Sequence, residues 1–142
     1  MANSFAYSTY ISTTPEQLWE ALISPQFTKQ YWMGTVLESD WQVGSSIRLL
    51  HPKGTEMKEK YGKVVAYDPP KLLSYTGIGG ANSTVTFELI QLSPNQVRLN
   101  ITHEDIEPEF GKGVAEGWYA IISNLKTFLE TGKLLDYSWW RG

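Results

Sequence analysis

Cysteine is absent from the 142 residues. Disulfide staples and thiol chemistry are therefore excluded, and a packed core must supply the stability. A chain of this length buries about 68–70 % of the surface its unfolded form exposes, enough for one self-sufficient domain spanning residues 1–142. Blocks of basic residues are also missing. Twelve Lys and Arg lie scattered among fifteen Asp and Glu, for a net charge of −3, which argues against nucleic acid as the main partner. No apolar run approaches the roughly 20 residues needed to cross a bilayer. The opening MANSFAYSTY has no basic segment followed by an apolar one, so no signal peptide is expected and the expected location is cytoplasmic. Two histidines without a third ligand at a suitable spacing make no zinc signature. GIGG (77–80) is not followed by a helix pattern and reads as a hairpin turn, not a phosphate loop. No Ser-His-Asp arrangement or dinucleotide fingerprint is legible, and no cofactor or metal is expected.

Large rings, by contrast, are plentiful: six Trp and eight Tyr. Their number hints at a cavity. FAYSTYI (5–11) alternates, with Phe5, Tyr7, Thr9 and Ile11 on one face of a strand. In TTPEQLWEAL, Thr14 suits an N-cap, Pro15 the first helical position, and Gln17 a capping-box spacing. SPQFTKQYW repeats the device with Ser24 and Pro25. Two short helices should thus follow the first strand. A long β region comes next, over residues 45–50, 56–67, 71–77, 83–92 and 96–104, separated by Gly, Pro and Asn turn signals. Val85, Phe87 and Leu89 make one apolar face, and Val97, Leu99, Ile101 and His103 another. Short turns between neighbours imply an antiparallel meander. From about Gly113 to Thr131, Val114, Trp118, Ile121, Ile122, Leu125, Phe128 and Leu129 fall in an arc of about 120°. This helix, about 28 Å long, is closed by Gly132 and covers the apolar face of the sheet. The expected class is α+β.

Candidate site residues follow from these faces. Gly117 costs about 1 kcal/mol within a helix relative to Ala, which close approach by a ligand or a neighbouring side chain would explain. Trp118 beside it points at the sheet, as a cavity wall or as core. His103 shares the inward face of its strand. It could orient a ligand, act as an acid or base, bond a backbone carbonyl as a core histidine, or sit at the strand end in solvent. His51 ends another strand. Trp32, Trp41, Tyr61, Tyr67 and Tyr75 are further cavity candidates, with polar tips that need partners. Together with Phe87, Ile121 and Ile122, the residues Trp118, His103, Tyr61, Tyr75 and Trp32 form the expected ligand-binding set. EDIEPE (104–109) lacks the spacing of a calcium loop and reads as a solvated loop. In KLLDYSWWRG (133–142), Leu135, Tyr137 and Trp139 alternate. The tail is either an added strand, an arm folded back on its own domain, or an aromatic patch that pairs two copies.

Five segments, TTPEQLWEALISPQFTKQYW (13–32), SDWQVGSSIRL (39–49), GKVVAYDPPKLLSYT (62–76), VRLNITHE (97–104) and GWYAIISNLKTFLETG (117–132), occur in an order that resembles the START-like (SRPBCC) superfamily. Within it they resemble the group related to the C-terminal domain of the Hsp90 ATPase activator Aha1. The resemblance implies the helix-grip (START/Bet v 1-like) fold, in which a curved antiparallel sheet wraps a long C-terminal helix, with a cavity between them. Members bind hydrophobic ligands, bind protein partners, or transform small aromatic substrates. The leading expectation is noncatalytic binding of a small hydrophobic or aromatic ligand. The alternatives are a co-chaperone-like interaction module with a chaperone partner, and an enzyme of the cyclase/aromatase kind. The eukaryotic activators carry a separate N-terminal domain for which this chain has no room, which weakens the expectation of ATPase stimulation.

Overall fold

The computed structural model describes residues 3–53 and 55–138. The chain runs β1 (Asn3–Ile11), α1 (Pro15–Ile23), α2 (Pro25–Tyr31), β2 (Val36–Ser39), β3 (Ser46–Lys53), β4 (Glu56–Asp68), β5 (Leu72–Thr76), β6 (Thr84–Ser93) and β7 (Gln96–Ile106). A 3-10 turn (Pro108–Phe110) leads into α3 (Gly111–Thr131). All seven strands pair antiparallel in one sheet of order β1-β7-β6-β5-β4-β3-β2. Strands β2 to β7 are a plain meander, and β1 closes onto β7, the far end of the chain's β region.

The caps behave as their residue types dictate. The Thr14 side chain accepts from the Gln17 amide at the start of α1, with Pro15 in the first turn. The Gln17 side chain is taken by the Thr13 hydroxyl instead of reaching back to the cap. Ser24 precedes Pro25 but makes no side-chain cap bond. Gly132 adopts φ 76°, the left-handed conformation that glycine takes without strain, and ends α3.

Strand β2 is absent from the pattern-based reading. Four residues carrying one fully buried side chain, Leu37, are too short for a period of two to stand out. The inward faces of β6 and β7 are as alternation predicts: Val85, Phe87 and Leu89 on one, Val97, Leu99, Ile101 and His103 on the other, all at most 5 % exposed. They pack against Trp118, Ile121, Ile122 and Leu125 of α3. Asn124 is also buried on that helix. Its amide donates to the Tyr31 carbonyl (2.9 Å) and accepts from the Leu135 amide (2.8 Å), which joins α2, α3 and the tail. The described part of the tail forms no strand. It runs back along α3, where the Tyr137 hydroxyl donates to the Ala120 carbonyl at 2.6 Å. Trp139 and Trp140 lie outside the described residues.

In β4 the register shifts between Val64 and Ala66. Before the shift Lys60, Gly62 and Val64 turn inward while Tyr61 and Val65 are exposed. After it Tyr67 turns inward and packs on Trp19 and Trp41. Gly62 lies where β5 comes closest: a Cβ there would stand 1.9 Å from the Thr76 carbonyl oxygen, a backbone atom that has no rotamer to escape through. Gly62→Ala should therefore destabilise the fold by about 2–3 kcal/mol, as overpacking of this kind does. Urea unfolding of the two proteins measures it, and an unchanged midpoint would refute the close approach.

Candidate functional site: a cleft at the N-terminal half of the long helix

The middle of the helix–sheet interface is filled with side chains. Trp118 meets Phe87 edge to face with centroids 5.7 Å apart, and Phe87 meets Tyr75 at 5.9 Å. Ile122 and Leu125 are buried among them. Open space appears nearer the start of α3, where a cleft of about 360 Å³ has formed. Residues four apart on a helix share a face, so α3 presents Val114, Trp118 and Ile121 to it, with the bare backbone of Gly117 between them. The opposite side comes from Trp32 at the end of α2 and from Ile78 in the β5–β6 loop. Lys60, Glu109 and Phe110 form the rim. A smaller hollow of about 130 Å³ adjoins it, sharing Trp32, Lys60 and Ile78 and reaching His51.

Behind the cleft Trp118 is held by a buried polar chain. Its indole N–H, which can only donate, points to His103 Nδ1 at 2.9 Å. Nδ1 must therefore accept, and the ring proton sits on Nε2. That N–H faces the Ile78 carbonyl (2.8 Å) and the Ser83 hydroxyl oxygen (2.7 Å). The Ser83 hydroxyl in turn donates to the Glu104 carbonyl at 3.0 Å. Each donor has an acceptor, as a polar group in this interior requires. Protonation of His103 would set a second N–H against the Trp118 N–H. Burial pushes the His103 pKa below its ordinary 6.5, a shift only partly opposed by the bond to Ile78. Gly79 packs close over the ring, with room for a Cβ only at 3.3 Å from its edge.

The expected ligand set is thus divided. Trp32, Trp118 and Ile121 line the cleft. Phe87, Ile122 and Tyr75 stand behind it in the core. His103 has no exposed surface, and both ring nitrogens bond the protein itself. Tyr61 does not belong to the set. It is 63 % exposed and its hydroxyl donates to Glu59, because the irregularity at 64–66 gives it the opposite parity to Tyr67. Trp41 and Tyr67 pack on each other, Tyr67 also on Trp19 and Trp41 on Tyr75, away from the cleft. Ile78, Lys60, Phe110, Val114 and Glu109 were not foreseen as lining residues. Ile78 left one trace, a lone large apolar residue within a glycine turn. Among the described residues, no three of His, Asp and Glu converge as a metal site. Tyr75 carries a buried hydroxyl with no hydrogen-bond partner, and burial holds its pKa well above the ordinary tyrosine range.

A search of curated proteins found no match. The sequence model of the family described as Activator of Hsp90 ATPase homolog 1-like protein matches residues 12–130. The chain belongs to this family. Solved structures have the same fold. The solution structure of the Aha1 dimer from Colwellia psychrerythraea is 22 % identical, covers 92 % of this chain and 98 % of its own, and superposes with a TM-score of 0.77. A Cytophaga hutchinsonii protein is 25 % identical over 93 % of this chain and 97 % of its own, with a TM-score of 0.73. A Mesorhizobium loti protein is 24 % identical over 93 % and 100 %, with a TM-score of 0.75. The architecture is the START-like helix-grip fold, and the cleft of this family member lies where the sheet's grip on the helix opens. No helix among the described residues is long and apolar enough to cross a membrane.

The buried imidazole gives stability a pH dependence of definite sign. Well above pH 6.5 His103 is neutral in both folded and unfolded chains and adds no slope. Below it the unfolded chain takes up a proton that the folded one refuses, so stability should fall as pH falls, by up to about 1.4 kcal/mol per unit at this residue. His103→Gln, whose amide can still accept from Trp118 but does not titrate, should lose that part of the slope between pH 6.5 and 5. Denaturant titrations at several pH values compare the two, and parallel curves would show that His103 is not held neutral.

Proposed function

We propose that this domain binds a small hydrophobic or aromatic molecule, without transforming it, in the cleft between α3, Trp32 and the Ile78 loop. The cleft itself carries this reading. Its volume of about 360 Å³ falls at the small end of the range for ligand sites, and its wall has the same character: mainly apolar, with a few polar groups at the edge. Membership of a START-like family supports it further. The interface beyond Trp118 is packed, so a ligand lies along the first half of the helix and not through the whole grip. A cyclase-like reading loses support, because its candidate acid–base group, His103, is neutral and turned to the Ile78 carbonyl and the Trp118 indole.

The test is a titration with N-phenyl-1-naphthylamine, an uncharged aromatic probe that brightens in apolar surroundings. Val114 is half-buried and lines the cleft, so Val114→Glu should leave the fold intact and weaken the probe at least about tenfold, the effect of setting a charge in an apolar contact. Unchanged binding in the variant would move the probe elsewhere and sink the reading. Native mass spectrometry of freshly purified protein, before and after denaturation, would show any ligand carried through purification.

A second groove favours a protein partner as the other reading. Phe27, Phe128 and Leu129 line a hollow of about 350 Å³ between α1, α2 and the end of α3, edged by Glu16 and Glu20. Leu134 and Leu135 of the tail are 46 % and 40 % exposed. Family membership points to a chaperone of the Hsp90 kind, and the adhesive tail to a second copy. Sedimentation and an Hsp90 ATPase assay test them: a monomer that leaves ATP turnover unchanged at saturation would remove both.

A further inference from the structure

Resting on the reading of the cleft as a ligand site, we propose that its ligand is a small aromatic acid, with its anionic group on Lys60 and its planar body against Trp32 and Trp118. Lys60 belongs to the inward row of β4 and is half-buried. Its side chain reaches the cleft, the adjoining hollow and a narrow crevice beside Gly62. Its ammonium stands 5.4 Å from the centre of the Phe110 ring. Among the described residues it has no ion-pair partner. Two neighbouring cations on the same hairpin are already engaged, Arg48 with Glu38 and Glu59 and Lys58 with Glu56.

A half-buried lysine whose ammonium lies near an aromatic ring and has no ion-pair partner among the described residues leaves a positive charge available to a ligand. Its apolar stem lies along the cleft wall, and its charged end is where an incoming anion would be held. Glu109 is the acidic residue of the same rim and is exposed. It repels an anion entering on its own side and leaves the Lys60 side open.

The walls select the body. Trp32 and Trp118 have centroids 5.5 Å apart at 52°, and Phe110 adds a third ring at the mouth. Rings gain beyond their buried area by offset or edge contacts with other rings, which an alkyl chain does not. The crevice behind Lys60 holds only about 10 Å³. The body must therefore lie along α3 and not thread between β4 and β5.

Two probes of nearly equal shape separate charge from hydrophobicity. These are 8-anilinonaphthalene-1-sulfonate and its uncharged twin N-phenyl-1-naphthylamine, titrated by fluorescence into the full chain. Lys60→Met should weaken the sulfonate about tenfold, as loss of one charge-assisted contact does, and change the twin by less than about twofold. Glu109→Gln should tighten the sulfonate by about twofold, the scale of an exposed charge. Added salt should weaken the sulfonate alone. In competition, 2-naphthoate should displace the sulfonate at lower concentration than decanoate. If the wild type binds both probes but Lys60→Met shifts them equally or not at all, the anion assignment falls and the cleft reading survives. If decanoate competes better than 2-naphthoate, the aromatic assignment falls. If the wild type binds neither probe, the cleft reading fails and takes this one with it.

Discussion

The bond from the Trp118 indole to His103 Nδ1 couples the long helix to the sheet at the point where the two part. Through the other nitrogen the same imidazole takes hold of the Ile78 carbonyl and the Ser83 hydroxyl. One buried side chain therefore fixes α3, β7 and both ends of the β5–β6 loop relative to each other. A polar chain in such surroundings is stabilising only if every member is satisfied. Here the donor-only indole sets the tautomer, the tautomer sets the bond to Ile78, and Ser83 closes the chain on the backbone. Two apolar walls of the cleft, Trp118 and Ile78, are thereby both tied to His103. The histidine shapes the site from behind without entering it.

The abundance of aromatic residues has a related explanation. Ring contacts run without a break from Trp19 through Tyr67, Trp41, Tyr75, Phe87 and Trp118 to Trp32. Most of these rings fill the grip between helix and sheet. The two at the end of the series, Trp118 and Trp32, also line the cleft. Large rigid rings pack a wide, curved interface well but leave gaps where their planes cannot tile. The cleft lies at one such end, edged by the one inward lysine of β4.

Much of the fold was legible in the sequence because its signals are local. Thr14–Pro15 and Gly132 follow from cap and left-handed backbone chemistry. The inward sets on β6, β7 and α3 follow from periods of 2 and 3.6. Where a local irregularity breaks the period, the reading fails: the shift at Val64–Ala66 reverses Tyr61, and β2 is too short to carry a period. Asn124 was missed for a different reason. A polar residue on a helix reads as exposed, and only the arrival of the Tyr31 carbonyl and the tail amide gives it cause to be buried.

The site divides along the same line. By itself the sequence determined that Trp118 and His103 face inward, since strand and helix periodicity orient side chains relative to their own element. It also determined the family, through segments whose order spans the chain. What those side chains meet was decided only by tertiary structure. That His103 bonds Trp118, that Phe87 and Tyr75 lie behind the cleft, and that Lys60 and Ile78 come to its mouth all depend on contacts between residues from 15 to more than 80 positions apart. No local pattern records such distances. They arise when the meander curves around the helix and brings its β3–β4 hairpin and its glycine turn to the same end.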